Sequence, residues 1–178
     1  MRRRQLPFAL AAAAAALPAQ ASVPPPEVAA AWAAARRVGQ ARLRFMGLHV
    51  YDAQLWAPEP PTPDDWAQRD FALELVYARS FEGGRIAERS LAEMRRQGPI
   101  EPDRAERWLS TMRETFPDVR AGDRLTGLHR GAQAQFHHNG APRARWDDAA
   151  LVRAFFGIWL APQTSEPAMR GALFGGRA

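Results

Sequence analysis

Cysteine and lysine are both missing from this 178-residue chain. The first absence excludes disulfides, a thiol nucleophile, thiolate metal sites and the lipid-modified cysteine of a lipoprotein. The second excludes Schiff-base chemistry, because every one of the 24 basic residues is arginine. Tyrosine is scarce, with only Tyr51 and Tyr77 available as phenolic donors. Long apolar runs are missing too: the stretch Leu6–Leu17 falls short of the ~20 residues needed to span a bilayer. Charge of one sign hardly accumulates. Three of the 24 basic residues sit at Arg2–Arg4, which leaves 21 against 19 acids, a net of +2, for the rest of the chain. A balance that small argues against a nucleic-acid partner. No serine elbow, glycine-rich phosphate loop or dinucleotide fingerprint occurs, and no cofactor is expected.

What is present divides the chain into parts. Arg2–Arg4, the apolar run and Ala19-Gln20-Ala21 have the basic, apolar and small-residue order of a secretory signal peptide over residues 1–21. Cleavage is expected before Ser22, giving an exported protein of the periplasm or medium with no stable membrane insertion. Residues 22–36 read as a Pro-rich linker and a short Ala-rich helix, the helical pattern running from Glu27 to Arg37, and 37–175 as one domain.

Within the domain the apolar period changes twice. Leu43, Phe45, Val50, Tyr51, Leu55 and Trp56 form two extended runs broken near Gly47, and Phe71, Leu73, Leu75 and Tyr77 alternate as a third strand. Ile86, Leu91 and Met94 mark one helix, and Ala105, Trp108, Leu109, Met112 and Phe116 another, with Gly98-Pro99 between them and Pro117 as a stop. Strands return at Asp123–Arg130, Ala132–His138 and Pro142–Trp146, the last pair joined through the turn Asn139-Gly140. Asp147 is the expected N-cap of a helix carrying Leu151, Phe155, Phe156 and Trp159. Strands, helices, strands, helices in blocks predict an α+β domain, helices layered on a mainly antiparallel sheet.

Three segments point to a family. AFFGIWLAPQTSEPAMRGALFG (Ala154–Gly175), RFMGLHVYDAQLWAP (Arg44–Pro58) and FPDVRAGDRLTGLHR (Phe116–Arg130) together resemble the exported bacterial branch of the chalcone isomerase-like proteins. The resemblance implies a large antiparallel sheet covered by a layer of helices, an open-faced sandwich with a ligand cleft between the layers. It also implies where a site would lie. The cleft arginine falls on Arg42, or on Arg44 if the register slips; the position of a ligand-binding threonine falls on Met46; those of a helical tyrosine and asparagine fall on Ile86 and Glu93. Because Met46 and Ile86 cannot donate hydrogen bonds to a developing enolate, chalcone isomerase activity is not expected.

An arginine facing an apolar cleft suits a carboxylate, which it pairs with bidentately. Some non-catalytic members of the superfamily bind fatty acids in this way, so the resemblance favours a small hydrophobic carboxylate ligand over catalysis. Tyr51 and Tyr77 are candidate donors to its head group, set against ordinary core aromatics. Two alternatives stand beside this reading: an isomerase or lyase of the same fold, and an envelope accessory protein working through a protein partner. His129, His137 and His138 make a poor metal set, because adjacent strand residues point to opposite faces.

Overall fold

A computed structural model describes residues 22–176. The expected signal peptide at 1–21 lies outside the described residues.

Ten-residue strands β1 (Arg36–Phe45) and β2 (Leu48–Ala57) form a hairpin, followed by β3 (Phe71–Tyr77), and after two helices by β4 (Arg124–Arg130), β5 (Gln133–His138) and β6 (Ala141–Trp146). The six strands pair antiparallel in chain order, so each neighbour in sequence is a neighbour in the sheet. Short turns enforce this meander. Met46-Gly47 and Asn139-Gly140 both take left-handed conformations, with φ of 49° and 78° in the first and 52° and 86° in the second, as two-residue hairpin turns require.

Helices α2 (Gly83–Met94), α3 (Pro102–Thr115), α4 (Ala149–Leu160) and α5 (Pro167–Leu173) cover one face. Ala53, Leu55, Phe71, Leu73, Leu75, Leu125 and Phe136 point into them, as the two-residue period of strands dictates. From the helices, Trp108, Met112, Phe155, Phe156 and Trp159 fill the space. Phe156 crosses the sheet at Gly127, where an added Cβ would stand 3.0 Å from its ring. It meets Phe71 edge-on at a centroid distance of 5.1 Å. Gly39 has a comparable role on β1, since α5 packs its backbone where a Cβ would project.

The opposite face is partly covered as well. Helix α1 (Pro26–Ala31) lays Val28 over Trp56, Ala72 and Leu128, which is why β3 is buried on both sides. The Ala-rich pattern predicted a longer helix, Glu27 to Arg37. It ends early because Arg36 and Arg37 pair with Ala57 and Trp56 of β2, tertiary pairing overriding propensity. The cap of α4 is Asp148, one residue beyond the expected Asp147. Its Oδ1 accepts the amides of Ala150 and Leu151 at 2.9 and 3.1 Å, while Trp108 Nε1 donates to its other oxygen at 2.9 Å.

Candidate functional site

Strand parity decides which candidate residues can reach the layer between sheet and helices. On β1 the side chains of Ala41 and Leu43 pack into the helix-side core, so Arg42 and Arg44 project from the other face. Arg42 Nε and one terminal nitrogen pair with both oxygens of its cross-strand neighbour Asp52, at 2.7 and 3.2 Å. His49 Nε2 approaches the same carboxylate at 3.2 Å. The hydrogen bond from Arg42 is the main reason that Asp52 titrates below the usual carboxylate range. Arg44 donates to the Gly47 carbonyl at 3.4 Å, and Met46 stands at the hairpin tip, 85% exposed. The expectation of an arginine anchor inside the cleft is therefore corrected by geometry. Neither Arg42 nor Arg44 faces it, and Met46 is outside it.

Tyr51 and Tyr77 do face the helices. They are cross-strand partners on β2 and β3, with rings 5.9 Å apart in an edge-to-face arrangement. Trp159, from α4, donates its indole N–H to the Tyr51 oxygen at 2.9 Å. The Tyr51 hydroxyl hydrogen is left to donate elsewhere. Burial pushes Tyr51 well above its ordinary pKa; the Trp159 bond opposes this, and the charges of Glu166 and Glu93 reinforce it. Burial, followed by the neighbouring Tyr51, does the same to Tyr77. Both hydroxyls are thus neutral donors at physiological pH and poor bases.

Helix α2 closes this end. Ile86, Ser90 and Glu93 share one of its faces, at the four- and three-residue steps of a helix. Ser90 turns its hydroxyl back to the Ile86 carbonyl at 2.8 Å. Glu93 is only 11% exposed in its side chain and is gripped by Arg89 at 2.6 Å on Oε1. Its Oε2 is enclosed with no hydrogen-bond partner among the described residues, and Arg96 Nε lies 3.7 Å from it. An enclosed acceptor without a donor is costly. Tyr51, Tyr77 and Glu93 therefore occupy one end of the sheet–helix layer, with Ile86 on the same helix face. Arg89, Arg96 and Ser90 complete that end and were not singled out in the sequence, where arginines on an amphipathic helix read as a solvated face.

A second polar cluster lies under α1. Glu27 accepts from Thr126 Oγ1 at 2.6 Å and from Arg124 at 3.1 and 3.3 Å. Arg124 also reaches Glu74 at 3.3 Å, and Trp56 Nε1 donates to Glu74 at 2.9 Å. Burial would raise Glu27, but the bonds from Thr126, its own backbone and Arg124 outweigh it and hold the carboxyl below its usual value. For Glu74 burial dominates and its pKa rises. Both oxygens of Glu27 and one of Glu74 have donors, and the other Glu74 oxygen is ion-paired with Arg124, so the cluster is a tie between α1 and the sheet. Nothing in the sequence marks it, since a lone glutamate in a strand normally faces water.

Around Phe155 and Phe156 the layer between sheet and helices is nearly full. The cavity there, lined by Leu73, Leu75, Gly127, Phe155, Phe156 and Trp159 among others, measures ≈ 20 Å³, about the room needed by one water. Among the described residues no group of three or more His, Cys, Asp or Glu could hold a metal. None of the helices described is long and apolar enough to cross a membrane.

No family model matches the chain. A 138-residue stretch, 78% of this chain and 67% of the relative, is 27% identical to an uncharacterized protein of Haemophilus influenzae. Among solved structures, the fatty-acid binding protein AtFAP1 of Arabidopsis thaliana superposes with a TM-score of 0.61 at 12% identity, covering 81% of this chain and 89% of the other. At that identity the likeness concerns the fold, and the fold is α+β: an open six-stranded antiparallel sheet with helices packed on it, the chalcone isomerase-like architecture.

Proposed function

We propose that this chain is an exported member of the chalcone isomerase-like family that binds a small hydrophobic carboxylate, such as a fatty acid, between sheet and helices. The observation that carries the reading is the polar end of that layer. Tyr51 offers a hydroxyl hydrogen, Glu93 an enclosed oxygen without a donor, and Arg89 and Arg96 positive charge, all at the margin of an aromatic interior. A carboxylic head group presents an acceptor to Tyr51 and the arginines and, when protonated, a donor to Glu93. The fold shared with a fatty-acid binding protein supports the same ligand class. Pockets that enclose small ligands usually run to about 300 Å³ or more, so an acyl chain enters only if Phe155 and Phe156 on α4 give way.

The small cavity also favours a second reading, in which the layer is closed core and the protein acts through its surface on an envelope partner. Native mass spectrometry of the chain from Ser22 onward, followed by calorimetric titration with oleate, separates the two. A co-purified acyl mass, or oleate binding weakened roughly tenfold by Tyr51→Phe, the worth of one hydrogen bond, supports the carrier. A clean apo mass together with no heat on oleate addition sinks it in favour of the second reading.

A further inference from the structure

The β1–β2 hairpin ends in an apolar tip that folding does not explain. Phe45, Met46 and Leu48 are 60%, 85% and 54% exposed, the only large apolar residues besides Val23 exposed in this way among the described residues. Pairing of β2 with β3 stops at Tyr51 and Tyr77, with one further bond from the Ala78 amide to the Val50 carbonyl. Residues 44–49 therefore extend beyond the neighbouring strand.

The molecule contains its own control for this turn. At Asn139-Gly140 the same left-handed pair of conformations is built from the residues that tolerate it best. At Met46-Gly47 the first left-handed position holds methionine, which has no side-chain means of relieving a φ of 49°. Backbone preference and solvation both disfavour methionine here, so its benefit must lie in what the tip touches.

Charge says what that is. Arg36 and Arg37 lie at the far end of β1 and Arg42 is paired with Asp52, but Arg44 stands exposed beside the tip. Arg79, also exposed, follows Ala78 at the hairpin base. Three apolar side chains on a narrow hairpin fall well short of the ~800 Å² per partner of a stable protein interface. They suit shallow insertion at a lipid headgroup boundary, where apolar contact and arginine–phosphate attraction add.

We propose that the β1–β2 tip docks this protein on an anionic bilayer, Phe45, Met46 and Leu48 entering the interface and Arg44 and Arg79 meeting lipid phosphates. The test is flotation of the chain from Ser22 onward with vesicles of phosphatidylcholine alone or mixed equally with phosphatidylglycerol. The wild type floats with the mixed vesicles, and Met46→Asn lowers partitioning about tenfold, the loss of one buried methionine, while raising the melting temperature because asparagine suits the turn. Arg44→Glu reduces binding to the mixed vesicles and leaves phosphatidylcholine binding unaltered. Failure of the wild type to float, or equal flotation of Met46→Asn and of the combined F45S/M46N/L48T variant, overturns the proposal. So does a dimer in sedimentation velocity that the same substitutions abolish without any vesicle binding, which would make a second copy the occupant.

Discussion

Two residues apart on a strand share a face, and one residue apart they do not; that rule separates the anchor expected from the sequence from the groups that actually reach the layer. Arg42 and Arg44 were alternatives in register, yet they have the same parity, and both leave the cleft. Arg42→Ala is accordingly expected to leave oleate affinity unchanged while Tyr51→Phe weakens it, a contrast that one titration series reads directly. A loss of binding in Arg42→Ala would reinstate the arginine anchor. Histidine gives the second residue-scale prediction. His129 is buried against Phe71, with ring centroids 4.5 Å apart, and its Nδ1 lies 2.7 Å from the Arg69 carbonyl, which fixes the proton on that nitrogen. Burial lowers the pKa of His129, outweighing the Arg69 bond, and burial lowers that of His137 as well. A histidine with a depressed folded pKa binds fewer protons folded than unfolded. Its stabilisation is complete above the unfolded pKa, near 6.5, and is lost as pH falls from there toward the folded value. Urea unfolding should show stability declining below about pH 6.5 with a slope of up to ~1.4 kcal/mol per pH unit for each histidine. His129→Phe should flatten the slope; an unaltered slope would show that His129 does not carry it.

Elements were more legible than faces. The hairpin at Gly47, the strand from Phe71 to Tyr77, the two helices flanking Gly98-Pro99 and the Asn139-Gly140 turn all appear where apolar period and turn chemistry place them. These are local signals, written in contiguous residues. The position of α1 is not local. Its six residues are too few to be helical alone, and what holds them, the Glu27–Arg124–Glu74 tie, joins positions 97 residues apart in the case of Glu27 and Arg124. Removing Glu27 would leave Arg124 with Glu74 as its carboxylate partner and strip Thr126 of its acceptor. Glu27→Ala should cost about 2–3 kcal/mol, the low end for a broken buried pair because Arg124 keeps one carboxylate and some solvent. The loss should be larger at pH 7 than at pH 4, since the lowered pKa of Glu27 means that its contribution exists above ~4.5 and disappears as pH falls through the folded value. Denaturation at the two pH values measures it, and an equal cost at both would mean that α1 is held by Val28 packing alone.

At the scale of the whole molecule, the open sheet and its helix layer form a container whose middle is filled by aromatic side chains. A sequence can specify that Phe155, Phe156 and Trp159 face the sheet, but the volume left between them depends on how four helices settle on six strands. That is why a ligand cleft was expected, whereas the cavity beside Phe155, Phe156 and Trp159 measures ≈ 20 Å³. Phe156 is the side chain to remove. It is fully buried and lies over Gly127, against Phe71 and His129. Phe156→Ala should destabilise the fold by about 3–5 kcal/mol, as large-to-small changes in a packed core do. If ligands enter the layer, the same substitution removes part of the work of opening it, and oleate should bind more tightly to the variant and restore part of its lost stability by mass action. The readouts are urea unfolding with and without oleate, compared between wild type and Phe156→Ala. Stabilisation by oleate that grows in the variant places the ligand under α4. Destabilisation with no response to oleate in either protein would mean that the aromatic layer is core throughout, and that the surface, with its apolar hairpin tip, is where this protein acts.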